Sequence, residues 1–119
     1  MIEFITNPIV EVLDDTWNVL RADFVVKYYE HIFLIEEGFI TDFASVPRVP
    51  FAYTLFANKA KKSALLHDYL YSKRMYSRAE CDKAFLCAME KEGLNWATRQ
   101  AMYRAVRLFG GKHYEGKPC

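Results

Sequence analysis

The stretch ALLHDYLY, Ala64 to Tyr71, decides how the chain folds, because it is apolar almost all the way round a helix. A helix that is apolar on every side is typically buried in the middle of a domain. The stretch belongs to a longer helical segment, Lys59–Ser72. We therefore expect a central helix here, with the other elements packed around it.

The residues before this helix have the composition of short strands. Four segments are rich in β-branched and aromatic residues: Ile9–Leu13, Trp17–Leu20, Phe24–Tyr29 and Ile32–Ile35. Turn-forming residues separate them at Asp14-Asp15 and at Glu36-Glu37-Gly38. Because the segments follow one another closely, they favour an antiparallel meander over parallel strands joined by helices.

Two further helices follow the central one. The first has Ser77 as N-cap with Glu80 three residues later, and it ends at Gly93. Its predicted core stripe has helical spacing and consists of Asp82, Phe85, Leu86 and Met89. The last helix runs from about Asn95 to Gly110-Gly111, and its predicted apolar side consists of Ala101, Ala105 and Leu108.

The pattern as a whole predicts an α+β fold over residues 1–119 as a single domain. The strand-rich part, residues 1–48, forms a small N-terminal antiparallel sheet. About three helices at residues 59–111 pack on that sheet, and a loose tail follows at 112–119. A chain of 13.9 kDa with 52% hydrophobic residues can bury one substantial core, which argues against a disordered binding protein.

Composition also limits the location of the protein. The N-terminal residues lack the features of a signal peptide, and no apolar run has the length of about 18 residues that a membrane span needs. The three cysteines match no zinc spacing and are expected to be free thiols in a reducing compartment.

Charge is unevenly distributed along the chain. Residues 1–50 have nine acidic and three basic residues, whereas residues 51–119 have six acidic and thirteen basic residues. This asymmetry suits head-to-tail self-association or an anionic partner, but the sequence favours the simpler explanation, a self-neutralising fold with solvated faces. Tyrosines beside basic residues at 69–78 give only a weak indication of nucleic-acid binding.

Acidic residues in apolar surroundings are the main functional signal. Asp68 lies inside the central helix next to His67, and Asp82 heads the apolar stripe of the next helix. Removing an ionised carboxylate from water costs several kcal/mol. A buried acid therefore needs a partner whose interaction with the charge compensates this cost. Asp82 can find such a partner in Arg78, one turn earlier. A third acid, Asp42, lies in a loop just after a predicted strand.

These residues support two interpretations. Asp42, His67, Asp68 and Asp82 have the ligand types of a divalent cation site for zinc, manganese or magnesium, and such an ion activates water for hydrolysis. The alanines at one-turn spacing below His67 leave room for a ligand to approach its ring. Alternatively, the same four residues form a buried polar network that specifies one packing.

The loop TDFASVPR, Thr41 to Arg48, adds two further expectations. Ser45 is a candidate nucleophile, with His67 as base and Asp42 or Asp68 orienting the imidazole, although no local motif such as GxSxG supports it. Arg48 follows a proline and has the rigid fork that binds carboxylates bidentately. We therefore predict that Arg48 clamps one of the acids.

The motifs T-D-F-A-S-x-P-R and H-D-x-L-Y, followed by MYRAVRLFGG at Met102–Gly111, resemble a family of small uncharacterised phage and prophage proteins, a domain of unknown function. The similarity covers about Gly38–Gly111, and Asp82 is among the matching positions. The resemblance implies an α+β domain and a phage or prophage origin, and hence a location in the host cytoplasm or the virion. It supplies no established catalytic residues.

Two functions remain open on the sequence. The first is a small metal-dependent hydrolase of a phage or prophage, acting on cell-wall peptide or a phosphodiester through Asp42, Ser45, His67 and Asp68, with Asp82 as a further metal ligand. The second is a non-enzymatic virion, tail or host-interaction protein whose partners are other phage proteins or copies of itself. Fold and origin alone do not decide between them, but three acids and a histidine in apolar surroundings exceed what a scaffold needs and favour the hydrolase.

Overall fold

A computed structural model describes residues 2–42 and 60–109, which fall into two compact units, Met1–Asp42 and Phe43–Cys119. The first unit contains strands and the second contains helices, so the predicted α+β class is confirmed. The loop residues Ser45 and Arg48 lie outside the described residues, as does the tail at 112–119.

The strand unit forms two three-stranded antiparallel sheets. Its strands are β1 (Ile2–Phe4), β2 (Val10–Val12), β3 (Asn18–Leu20), β4 (Phe24–Tyr28), β5 (His31–Ile35) and β6 (Ile40–Thr41). The first sheet has the order β1-β4-β5 and the second the order β2-β3-β6. The four predicted strands are all present, but they do not form one meander.

The chain leaves the expected meander after β3. This strand pairs with β2 on one side and with β6 on the other, whereas β4 starts a different sheet. Gly38, with a φ of +96°, turns the chain back so that Phe39 accepts a hydrogen bond from the backbone N–H of Leu20 at 2.9 Å. Sequence reasoning missed β1 and β6, and β6 has only two residues, which are too few to show an alternating pattern.

The first sheet has one buried face and one exposed face. Phe24, Val26 and Ile35 are fully buried on one side, and Ile32 and Leu34 are exposed on the other. A two-residue loop joins β4 to β5, because Tyr28 pairs directly with His31. This alternation is typical of an antiparallel sheet with one face on a core.

The helical unit contains α1 (Lys61–Lys73), α2 (Arg78–Lys91) and α3 (Trp96–Phe109). The side chain of Ser77 accepts a hydrogen bond from the backbone N–H of Glu80 at 3.2 Å, so the predicted N-cap of α2 is confirmed. Beyond α2, Gly93 has a φ of +87°, as expected for a residue that ends a helix. None of the described helices is long and apolar enough to cross a membrane.

Apolar side chains from all three helices form one core. It contains Ala60, Ala64, Phe85, Met89, Leu94, Met102 and Val106. The predicted apolar side of α3 is correct for Ala105, which is buried, and wrong for Leu108, which is 75% exposed, whereas Met102 and Val106 are fully buried. The larger side chains of Met102 and Val106 bury more apolar surface than the alanines do, so they turn the helix toward their own side.

The N-terminus of α1 is capped by a residue from another helix. Its own N-cap residue, Ala60, makes no side-chain hydrogen bond. Instead, Oε1 of Glu92 accepts hydrogen bonds from the backbone N–H of Ser63 at 2.7 Å and from the Ser63 hydroxyl at 2.5 Å. Glu92 lies at the C-terminus of α2, so this contact fixes the end of one helix against the start of another.

We expect Glu92→Ala to lower the free energy of unfolding by about 1–2 kcal/mol, because backbone N–H groups at the start of α1 lose their acceptor. Urea unfolding measures the loss. The matched control is Glu90→Ala, since Glu90 is exposed on the same helix. Equal effects of the two substitutions would contradict the capping role.

Candidate functional site

Asp82 is the buried acid around which the three helices meet. It lies in the second turn of α2, and its side chain has no exposed surface. His67 and Tyr71 lie one turn apart on α1, so both face the same point on α2. Nε2 of His67 is 2.7 Å from Oδ1 of Asp82, and the Tyr71 hydroxyl donates to the same oxygen at 2.6 Å.

The second carboxylate oxygen is bound by an arginine from the last helix. Nη1 of Arg107 donates to Oδ2 of Asp82 at 2.8 Å. The side chain of Arg107 is 36% exposed, so it extends from the buried carboxylate of Asp82 to the protein surface. Protein donors therefore occupy both oxygens of Asp82. The guanidinium of Arg107 supplies a positive charge that offsets the cost of burying the carboxylate.

These hydrogen bonds control the ionisation of the site. Burial by itself would raise the pKa of Asp82, but the hydrogen bonds from His67, Tyr71 and Arg107 hold that pKa below its ordinary value. The pKa of Tyr71 is raised, first by burial and then by its hydrogen bond to Asp82. At neutral pH the site is therefore an ionised carboxylate held by a neutral phenol and a guanidinium.

Arg78 does not pair with Asp82, contrary to the sequence-based expectation. Its Nη2 donates to the backbone carbonyls of Val106 and Arg107, each at 2.6 Å, and its Nε lies 3.4 Å from the hydroxyl of Tyr71. A guanidinium at this position satisfies carbonyls at the C-terminal end of α3, which carry partial negative charge. Arg78 therefore caps α3 and also contacts the network.

The surroundings of His67 are tightly packed. The centroid of its ring lies 4.1 Å from that of Tyr71 and 4.6 Å from that of Phe85. The expectation that Ala60 and Ala64 leave room beside the imidazole was wrong, because both alanines belong to the apolar core together with Phe85. The small side chains are used for close helix packing.

The other predicted site residues are two acids, Asp68 and Asp42, and two residues of the loop at 41–48, Ser45 and Arg48. Asp68 is buried on α1, with 9% of its surface exposed. Asp42 is half-buried at the end of the strand unit, and its proximity to His67 stays a prediction. The roles of Ser45 and Arg48 stay predictions as well. Within residues 2–42 and 60–109, no group of three or more His, Cys, Asp or Glu side chains could hold a metal ion.

Sequence reasoning missed two partners of Asp82. Tyr71 follows His67 by four residues, about one helical turn, and this spacing was a usable signal for a shared partner. Arg107 is 25 residues from Asp82 and resembles an ordinary surface arginine, so the sequence offered no comparable signal.

The chain belongs to the family described as "Protein of unknown function (DUF1353)", which matches residues 17–106. The match includes His67, Tyr71 and Asp82 and ends one residue before Arg107. No curated protein matches the chain, and no solved structure does. The family relationship therefore confirms the expected domain of unknown function, and any activity has to be argued from the site itself.

Asp82, which is buried, and Glu92, which is half-buried, should have opposite effects on the pH dependence of stability. The lowered pKa of Asp82 gives a stabilisation that is present above its ordinary value of 3.8 and is lost as the pH falls through the folded-state pKa. Burial raises the pKa of Glu92, so Glu92 favours the folded state more as the pH falls through its folded-state pKa.

We therefore expect Asp82→Asn to flatten the loss of stability in acid and Glu92→Gln to steepen it. Urea unfolding at several values between about pH 3 and pH 7 measures both slopes against the wild type. Slopes that change in the same direction for the two variants would contradict this assignment.

The hydroxyl of Tyr71 should contribute to stability through Asp82. We expect Tyr71→Phe to lower the free energy of unfolding by about 0.5–1.5 kcal/mol, or more because the acceptor is charged. Tyr103→Phe is the control, since Tyr103 is half-buried on α3 and its hydroxyl bonds to none of the described residues. In an Asp82→Ala background the effect of Tyr71→Phe should shrink, and thermal unfolding of the four proteins tests this coupling.

Proposed function

We propose that this protein is a non-enzymatic binding or structural component of a phage or prophage, present in the host cytoplasm or the virion. In this proposal the Asp82 network holds the helical unit in one arrangement. The observation that carries it is that three protein donors, on His67, Tyr71 and Arg107, satisfy both oxygens of Asp82. A metal ion at this carboxylate would have to displace bonds that already compensate its charge.

Packing around the network supports the same role. His67 is fully buried and contacts the rings of Tyr71 and Phe85, so a substrate would have to displace core side chains to reach it. Networks in which every member is satisfied fix the relative position of the elements that they join. A rigid helical unit of this kind suits a protein that works through its surface.

The test is thermal unfolding of the wild type and of Asp82→Asn, each with and without a chelator. We expect unfolding of the wild type to be insensitive to the chelator. Asp82→Asn should lose about 1–3 kcal/mol, because charged and hydroxyl donors are left with a weaker acceptor. A control substitution is Glu80→Gln, which changes an exposed acid on the same helix.

A chelator-dependent fall in the melting temperature of the wild type, absent from Asp82→Asn, would overturn this proposal. That result would favour the second candidate, a metal-assisted hydrolase acting on cell-wall peptide or a phosphodiester. One observation favours it: a carboxylate bound to one ring nitrogen of a histidine also occurs where that histidine acts through its other nitrogen on a metal or as a base. In that case Asp82 orients His67, and Asp42, Ser45 and Asp68 remain the candidates for chemistry.

A further inference from the structure

The outer edge of the first sheet has an unusual composition. Strand β5 is the last strand of that sheet, and its sequence is HIFLI. It contains no lysine, no proline and no acidic residue, and it pairs with β4 in an unbroken register from His31 to Ile35. Lysines, prolines and bulges are the usual protections of an edge strand against pairing with another chain.

The opposite edge of the same sheet does not share these properties. Strand β1 has only three residues, and its central residue is the exposed Glu3. Short length and a charged side chain both discourage a further strand from pairing there. Among the described strands that lie at a sheet edge, β5 is the longest.

Backbone groups of β5 point away from the sheet at two positions. Because a two-residue loop follows Tyr28, the pair Tyr28–His31 is hydrogen-bonded, and the bonds to β4 recur at every second residue. The N–H and C=O groups of Ile32 and Leu34 are therefore directed to the edge at which no other described strand pairs, here called the open edge. The side chains of Ile32 and Leu34 are 59% and 43% exposed on the outer face.

Acidic residues flank this edge on both sides. Glu30 precedes β5, Glu36 and Glu37 follow it, and all three are exposed. The strand unit as a whole, residues 1–42, has nine acidic and two basic residues. Antiparallel pairing with β5 of a second copy, centred on Phe33, would bring Glu30 of one copy opposite Glu36 of the other. Like charges placed opposite each other destabilise a strand pair.

We propose that the open edge of β5 binds an extended segment of a partner protein, rich in β-branched residues and flanked by lysine or arginine. Backbone hydrogen bonds at Ile32 and Leu34 add the segment to the sheet as a new strand. Its apolar side chains cover Ile32 and Leu34, and its basic ends meet Glu30 and Glu36. This inference rests on the proposed binding function and names the surface that performs it.

The probe is a fluorescent nine-residue peptide of alternating valine and threonine with two lysines at each end. The control peptide has glutamates in place of the lysines. Fluorescence anisotropy with the full-length chain should show saturable binding of the basic peptide and at least tenfold weaker binding of the acidic one. Raising the salt concentration should weaken binding of the basic peptide, since exposed charges contribute to it.

Two substitutions at one position separate the backbone from the side chain. Leu34→Pro removes an N–H that points outward, leaves the bonds between β5 and β4 intact, and should weaken peptide binding tenfold or more. Leu34→Thr keeps that N–H and the strand propensity, and its binding should stay within a few-fold of the wild type. Equal binding by the proline variant and the wild type would overturn the inference.

A measurement on the wild type keeps the test decisive if the proline variant fails to fold. Amide hydrogen exchange at Ile32 and Leu34 should slow when the basic peptide is added, and exchange at Phe4, whose N–H points outward at the opposite edge, should not. Unchanged exchange at Ile32 and Leu34 would overturn the proposal.

Concentration-dependent dimers of the wild type that Leu34→Pro abolishes would overturn the proposed partner, because they identify a second copy as the occupant. The chelator experiment on Asp82 gives its answer independently of these results.

Discussion

The helical unit depends on one buried charge. Ionised Asp82 is tolerated inside the protein only because three side chains from two neighbouring helices donate to it. Each donor must therefore stay within hydrogen-bonding distance, and this requirement restricts the rotation and sliding of α1 and α3 relative to α2. Apolar packing supplies most of the stability of such a core, whereas we propose that the network selects which packing is adopted.

Local signals in the sequence were sufficient for most of the fold. Ser77 and Gly93 mark the ends of α2 through their own backbone and side-chain chemistry, so they can be recognised without knowledge of any contact. The pairing of β3 with β6 could not be recognised in this way, because it depends on the backbone turn at Gly38 and on strands of two or three residues. Likewise, the side of α3 that is buried depends on which side chains the other helices offer.

The candidate site was predictable in part for the same reason. Asp82 stood out because an acid in an apolar stripe contradicts the pattern around it, and His67 stood out beside Asp68 in an apolar helix. Their direct contact at 2.7 Å follows from both residues facing the core. The identity of the compensating cation was not predictable. Several arginines could reach Asp82 by sequence spacing, and only the packing of α3 on α2 selects Arg107 over Arg78.

The cap that Arg78 places on α3 has a consequence for the order of folding events. Arg78 is the first residue of α2, and it contacts the backbone carbonyls of Val106 and Arg107, which lie 28 and 29 residues later in the chain. This contact therefore forms only after α3 has docked. The bond from Arg107 to Asp82 has the same requirement. We expect such contacts to be unformed in the folding transition state, because they require the third helix to have docked on the other two. Weakening the contacts of Arg78 and Arg107 should therefore accelerate unfolding more than it slows folding. The C-terminal end of α3 then determines how long the native state persists before it unfolds.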